Sequence, residues 1–393
     1  MKILVLNSGS SSIKFQIFDM KNVTSMCHGM IEQIGEEIGH INFFYKDKSI
    51  TKECNIKNHS EGIKILEDIL MKNSVLKSFD ELGAVGHRVV HGGEYFSKPT
   101  IINSDVIEKI EKVSPLAPLH NPVNLIGIKA ISKVNPSLVQ VAVFDTAFHQ
   151  TIPDYAYHYA LPYEYYTKNQ VRRYGFHGTS HYYVAKEAAK ILHKDINNCN
   201  LITLHLGNGA SMAAIDKGKS IDTSMGFTPL EGLVMGTRCG DIDPAIIFYL
   251  SKNLNLSIDE LDNILNKKSG LKGICDTNDM REIEQKASSG NKRAKLALEI
   301  FCYRIKKYIG AYSIALGKVD ALVFTGGIGE HSSTVREKVC NNLYNTLGIK
   351  FDQDANIKHN TVISKNDSKI KLFVIPTNEE LEIAKQTYEL LNI

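Results

Sequence analysis

The residues best suited to chemistry in this chain are cationic and lie among glycines. His87-Arg88-Val89-Val90-His91-Gly92-Gly93-Glu94 follows an apolar stretch. Arg172-Arg173-Tyr174-Gly175-Phe176-His177-Gly178-Thr179-Ser180-His181 is dense in hydrogen-bond donors. Gly236-Thr237-Arg238-Cys239-Gly240-Asp241 sets an arginine between glycines. A guanidinium fork matches the oxygens of a carboxylate or phosphate. The histidine pairs 87/91 and 177/181 have metal-ligand spacing if they are helical, but neither has an obvious third ligand, and packing or anion contact serves equally. Asp145 ends the apolar run Val139-Gln140-Val141-Ala142-Val143-Phe144. A carboxylate there is either a cleft residue at a strand's carboxyl end or a helix N-cap.

Four glycine-rich segments accompany these groups, at 7–12, 207–211, 270–273 and 326–329. Three directly follow apolar, strand-like runs. They are either ordinary tight turns or backbone that cradles phosphate oxygens with free amides. Lys14, just beyond the first, is placed to reach a phosphate or to face solvent. Familiar signatures are missing. Gly218-Lys219-Ser220 looks like the tail of a P-loop, but position 213 is Ala rather than Gly. No Gly-x-Gly-x-x-Gly, His-Glu-x-x-His or Gly-x-Ser-x-Gly motif occurs, which argues against dinucleotide-binding, zincin and α/β-hydrolase chemistry.

The elements that must position these residues follow from periodicity. Residues 2–6 and 13–18 read as strands joined by the polar tip Asn7–Ser12. Residues 201–206 and 210–215 read as a second such hairpin around Gly207-Asn208-Gly209, and an aspartate follows each pair, Asp19 and Asp216. Two strand–turn–strand–Asp units half a chain apart suggest duplicated halves, though hairpins also resemble one another by chance. Helical spacing marks 61–71, 122–134 (with Asn121 as N-cap before Pro122), 179–192 and 291–316. Thr377-Asn378-Glu379-Glu380 caps a helix running to about residue 391. Strand-like runs at 138–144 and 320–325 each end at a polar or glycine-rich turn. Strands and helices in this order predict an α/β fold.

Composition narrows the class. The chain has 393 residues, 43% hydrophobic and 23% charged, with net charge +3. That is ordinary for a globular protein of two or three domains and too balanced to indicate nucleic acid or a membrane surface as a partner. Its start has four apolar residues before Asn7, too few for a secretory signal core, and no apolar run reaches the length of a membrane span. Seven scattered cysteines with no Cys-x-x-Cys pair fit free thiols in a reducing, cytoplasmic compartment.

Taken in order, the motifs resemble the acetokinase family, within the superfamily of acetate and sugar kinases, heat-shock chaperone ATPases and actin. The resemblance spans the whole chain. It is carried by Asn7–Lys14, Gly86–Gly93, Phe144–His149, Tyr174–His181, His205–Gly209, Asp222–Gly226, Pro229–Gly232, Phe324–Glu330 and Pro376–Glu380. It implies a duplicated actin-like, ribonuclease H-like fold with ATP and acetate bound between two lobes. The first lobe is residues 1–148 with a returning helix at 378–393, and the second, nucleotide-binding lobe is 149–377. It also implies a homodimer.

The resemblance assigns roles as well. Asp145, His177 and Arg238 are implied as catalytic. Arg88, Val90, Leu119, Phe176 and Pro229 are implied for the substrate, the last four around its methyl group. Lys14, His205, Leu206, Gly207, Asn208, Gly209, Asp279, Met280, Arg281, Gly327, Ile328, Gly329, Glu330 and His331 are implied for the nucleotide. Asn7 and Glu379 are implied for Mg2+, or Mn2+ in its place. Met280 stands where many relatives have Phe, and His331 where Asn usually follows Gly-Ile-Gly-Glu. The implied reaction is phosphoryl transfer from ATP to acetate, giving ADP and acetyl phosphate. Acetate is already an anion at neutral pH. The difficulty is then repulsion between oxyanions rather than deprotonation, so cationic donors should dominate and transfer should be direct and in line. Asp145 would orient a cation or the substrate. Propionate or butyrate kinase is the nearest alternative, because a methylene changes specificity little. A non-catalytic ATPase switch of the actin or chaperone type is the alternative from another class.

Overall fold

Ile3–Leu6 are buried on both faces of their strand, so the sheet they enter must be covered on both sides. The computed structural model describes residues 1–392. Its strands are β1 (Lys2–Ser8), β2 (Ile13–Asp19), β3 (Thr24–Glu32), β4 (Gly39–Tyr45), β5 (Lys48–Cys54), β6 (Leu82–Val89), β7 (Thr100–Ile101), β8 (Gln140–Phe144), β9 (Asn200–Leu206), β10 (Ala210–Asp216), β11 (Lys219–Thr223), β12 (Ala321–Thr325) and β13 (Lys371–Val374). The helices that matter below are α1 (His59–Lys72), α2 (Asn121–Val134), α3 (Gly178–Ile191), α4 (Ala245–Leu254), α5 (Gly270–Cys275), α6 (Met280–Ser288), α7 (Lys292–Leu316), α8 (Gly326–His331) and α9 (Glu379–Leu391).

The chain forms two units. One is Met1–Phe148 with the C-terminal segment from Asn378, and the other is His149–Thr377. In the first, eight strands run in the order β5-β4-β3-β2-β1-β6-β8-β7; in the second, five run β11-β10-β9-β12-β13. The shared part is the same motif. An antiparallel trio (β3-β2-β1, β11-β10-β9) is followed by two strands parallel to its inner member (β6-β8, β12-β13). The two sequence hairpins are thus equivalent elements of a duplicated fold.

Alternation along β1 divides its side chains between two cores. Leu4 and Leu6 join Ile63 and Leu66 of α1 and Ile131 of α2. Ile3 and Val5, with Val141 and Val143 of β8, meet Ile383 and Ala384 of α9. A fully buried aliphatic side chain of this kind contributes about 1.5–3 kcal/mol. Helix α9 starts where Asn378 accepts the Leu381 backbone N–H on its side chain, at 3.0 Å. The last helix in the sequence therefore roofs one face of the first unit's sheet.

Three local expectations change. Asn121 is the first residue of α2 rather than its N-cap; its buried amide instead accepts the His91 N–H (3.0 Å) and donates to the His91 carbonyl (2.8 Å). Residues 326–329 and 270–273 are not free turns: they open α8 and α5. No helix among the described residues is long and apolar enough to cross a membrane.

Candidate functional site

In the first unit, the carboxyl ends of the parallel strands β1, β6 and β8 carry Asn7, Arg88 and Asp145. Strand alternation puts all three on the face that α9 covers: Asn7 follows Val5, Arg88 is level with Val143, and Asp145 continues the ladder through its N–H to the Val89 carbonyl, at 3.0 Å. Helix α9 begins at the same edge with Glu379 and Glu380. Ligand sites of open α/β sheets form at such strand ends.

Asp145 is 1% exposed and accepts Arg88 Nε at 3.2 and 3.1 Å and Nη2 at 2.7 Å. It is therefore an arginine clamp rather than a helix cap. Burial alone would depress the Arg88 pKa, but Asp145, Glu379 and Glu380 outweigh it and drive the net shift upward. Lys14, opposite Asn7 in the hairpin, forms an ion pair with Glu380. Glu379 is different. Burial raises its pKa, with Arg88 opposing, and its Oε1 is buried with no hydrogen-bond partner among the described residues. An under-compensated carboxylate of this kind accommodates a cation.

In the second unit, the polar groups form a ladder. His181 bonds Thr203 Oγ1 of β9 (2.7 Å) and Ser211 Oγ of β10 (2.8 Å), and Ser211 also meets His177 Nδ1 (2.8 Å). Ser180 joins His205 Nδ1 (2.8 Å) to Thr377 (2.7 Å). The His177 and His205 rings stack at 4.3 Å. His177 caps α3 in a left-handed conformation, φ 57°, that a non-glycine residue adopts only when its surroundings hold it there. Burial, then the neighbouring His149 and His205, push the His181 pKa well down, so this ring stays neutral.

The turn after β9 meets Arg238. A methyl group on Gly209 would lie 2.9 Å from Arg238 Nη2 and 3.6 Å from His177 Cε1 and Nε2. The Gly209 backbone, a guanidinium and an imidazole thus face one another. Arg238 Nη1 donates to the Pro229 carbonyl at 2.6 Å, and no carboxylate among the described residues pairs with it. Its pKa is lowered by burial. A half-buried guanidinium with only a carbonyl partner is ready for an anion. Below it, Gly270 (φ 62°) comes so close that a Cβ would stand 2.2 Å from the Met235 carbonyl and 2.7 Å from that of Arg238. The glycine-rich segment at 270–273 is therefore a support for the Arg238 backbone.

A cavity of about 550 Å³ opens beside Gly207 and Asn208. Asp279, Met280, Arg281, Gly327, Ile328 and His331 line it, as do Asn278, Glu284 and Ser332, which sequence reasoning missed. Gly329 and Glu330 face inward instead. Glu330 fastens the Gly326 N–H (2.9 Å) and the Thr377 N–H (3.1 Å). Leu206 is a core residue.

Other positions are less gathered. Phe176 is 2% exposed, whereas Leu119 is 71% exposed. Val90 donates its N–H to the Asn124 side chain at 3.1 Å. The histidine pairs are not metal sites. His87 lies on an extended strand and bonds Gln140 (2.8 Å), and His177 and His181 share Ser211. No group of three or more His, Cys, Asp or Glu among the described residues is arranged to hold a metal.

A duplicated α/β motif, with cations and polar loops at the strand ends of each copy and a cavity beside one loop, defines a phosphotransferase of the actin-like class. More narrowly, the chain belongs to the acetokinase family, whose model matches residues 2–385. It is 55% identical over its whole length to acetate kinase of Helicobacter acinonychis, covering 99% of that protein. Its fold matches the crystal structure of Porphyromonas gingivalis acetate kinase with a TM-score of 0.95 at 46% identity, covering 100% of both chains. It also matches a propionate kinase from Francisella tularensis with a TM-score of 0.93 at 48% identity, covering 98% of both.

Proposed function

We propose that this chain catalyses the reversible, Mg2+-dependent transfer of the γ-phosphoryl group of ATP to acetate, giving ADP and acetyl phosphate. The observation that carries the reading is Arg238: a half-buried guanidinium, paired with no carboxylate among the described residues, facing the Gly209 backbone and His177. Both reactants are anions, so the barrier is electrostatic. Fixed donors aimed at the charge that develops on the transferring group are the suitable remedy.

Arg238 and His177 stabilise the equatorial oxygens in transfer. The 205–209 loop and Lys14 bind phosphate, and the 550 Å³ cavity takes the adenosine. Arg88 binds the substrate carboxylate. Asp145 already holds Arg88 at two nitrogens; it orients that cation and removes no proton, because acetate needs no base. Glu379, whose Oε1 has no partner among the described residues, and Asn7 would hold the Mg2+, or Mn2+ in its place. When bound, the ion would neutralise phosphate charge. Val90, Leu119, Phe176 and Pro229 serve as the acyl contacts.

A second reading, propionate as the preferred acid, is favoured by the likeness to the propionate kinase structure. An added methylene is worth only about 1–3 kcal/mol. Acyl phosphate trapped as the hydroxamate, with acetate, propionate and butyrate side by side, decides. Acetate should give the highest kcat/KM. A higher value with propionate replaces the first reading with the second, and no acyl phosphate from any acid removes both.

The enzyme works as a homodimer in a reducing, cytoplasmic compartment. Helix α4 buries no residue within its own chain and exposes Phe248 (63%) and Tyr249 (64%). A second copy of this chain is the occupant that covers this face. Light scattering should give twice the 43.8 kDa chain mass, and Phe248→Glu should give the monomer. The seven cysteines are all free, in keeping with a reducing medium.

A further inference from the structure

Arg238 sits on a segment whose ends are tied together. The Asp241 N–H donates to the Gly232 carbonyl at 3.0 Å, and the Gly232 N–H donates to Asp241 Oδ1 at 2.8 Å. Residues 233–240 lie between the two ends of this neck, and residues 265–272 brace them: Cys239 donates its N–H to the Leu265 carbonyl (3.1 Å) and the Thr237 carbonyl accepts the Ser269 N–H (3.0 Å). Their tip is held separately: the Gly236 N–H donates to the Asn208 carbonyl (2.9 Å), and α5 gives its Leu271 N–H to Met235 (2.9 Å).

The neck is fastened to α7. Tyr308 donates its hydroxyl to Asp241 Oδ2 at 2.9 Å. Arg304, one turn earlier on the same face, donates to the Gly232 carbonyl (3.0 Å) and the Asp241 carbonyl (3.1 Å), and it lies 3.2 Å from Asp241 Oδ2. The Asp241 carboxylate therefore links both ends of the segment to the long helix. It bonds neither Arg238 nor any other group facing Gly209.

We propose that Asp241 is a positioning residue: through the neck that it closes with Arg304 and Tyr308, it keeps the Arg238 guanidinium beside Gly209 and His177. The inference rests on the proposed function, in which Arg238 acts on the phosphoryl group in transfer. Without the carboxylate, the neck loses its Gly232 N–H and Tyr308 bonds; Thr237 and Cys239 stay tied to Ser269 (3.0 Å) and Leu265 (3.1 Å), and Arg238 between them is held less closely in register with the phosphate loop. The cavity beside Asn208 is built from other segments, so nucleotide binding changes little.

A double-mutant cycle tests this. Asp241→Ala should lower kcat by roughly 10- to 100-fold, the effect of losing a charge-assisted contact, while KM for ATP stays within about threefold. In an Arg238→Ala background, the same substitution should change kcat by less than about threefold, because the group that it positions is already gone. Asp241→Asn, which keeps an acceptor for Gly232, should recover most of the loss. Tyr308→Phe removes one hydroxyl and keeps the ring; it should cost about three- to tenfold, again only when Arg238 is present. It serves as the readout if near-ultraviolet circular dichroism shows that Asp241→Ala does not fold. Losses that multiply in the Arg238→Ala background, or a normal kcat for Tyr308→Phe in a case where Asp241→Ala is unfolded, overturn the inference. Near-normal turnover of Arg238→Ala itself refutes the role of Arg238 in transfer, and this inference with it.

Discussion

Adding one methyl group at Gly209 should separate catalysis from stability. Its Cβ would stand 2.9 Å from Arg238 Nη2, where ordinary contact begins at 3.4 Å, so the guanidinium must retreat by about 0.5 Å (3.4 − 2.9). A 1 Å misplacement costs about 10²-fold in rate, so half of that costs on the order of tenfold, or ~1.4 kcal/mol of barrier. Complete loss of an oxyanion donor sets the ceiling, about 10²–10³-fold. The fold pays no corresponding penalty. Gly209 does not occupy the left-handed region, and the atom in the way is the end of a flexible side chain. Replacing such a glycine by alanine removes freedom from the unfolded chain and stabilises by about 0.4–1 kcal/mol. Gly209→Ala should thus turn over about tenfold more slowly at saturating ATP and acetate, measured by hydroxamate trapping, with an unchanged or higher urea midpoint. A kcat within about twofold of the parent, or a midpoint that falls along with the rate, refutes the reasoning.

Other substitutions should distinguish the two arginines. Arg238→Ala and Arg88→Ala should each cost about 2–4 kcal/mol of transition-state stabilisation. Only Arg88→Ala should also lower the unfolding midpoint, because it strands the buried Asp145 carboxylate; equal midpoints for the two would contradict the clamp. Gly270→Ala should destabilise by roughly 1–3 kcal/mol from its positive φ alone, and more from the collision with the Met235 carbonyl; a stable, active variant would show that Arg238 needs no such support. Burial holds His87 at about 4, against the pull of Gln140, and His91 at about 3. Both stay neutral in the fold and take up a proton once unfolded below about pH 6.5. Stability should therefore be lost as pH falls from 6.5 towards 4, by up to ~1.4 kcal/mol per pH unit for each group. Urea midpoints that stay flat between pH 7 and pH 5 would exclude this. Transfer to acetate from ATP chiral at the γ-phosphorus should invert its configuration; retention would require a covalent enzyme intermediate.

The strands β1, β2, β8, β9, β10 and β12 and the helices α1, α2, α3, α7 and α9 are legible because their apolar periods are clean; β3–β7, β11 and β13 carry no such period and are not. β1, β2, β9 and β10 each alternate or run apolar up to a polar turn, and the repeated hairpin in the sequence itself points to duplication. The candidate site was legible in part. Arg88, His177 and Arg238 stand out as hydrogen-bond donors among glycines. Asp145 was ambiguous because its partner lies 57 residues away, and no local pattern encodes a contact at that separation. Ser211 left a trace, as a hydroxyl inside the otherwise apolar strand Ala-Ser-Met-Ala-Ala-Ile. Asn278, Glu284 and Ser332 left none, since polar residues on or beside helices are ordinary. Asn121 misled because an asparagine before proline is the usual helix-start signal. Here its amide satisfies the His91 backbone instead, a demand set by tertiary structure.

The pairing of α9 with β1 and β8 also dictates an order of events at the ribosome. The patch of Ile3, Val5, Val141 and Val143 is made early in translation. The helix that shields it, with Ile383 and Ala384, follows the entire His149–Thr377 unit. During elongation this greasy surface must wait, and the later-made unit has all its residues available before the earlier one can finish. A nascent chain stalled before residue 378 should therefore be the form that chaperones retain and that aggregates.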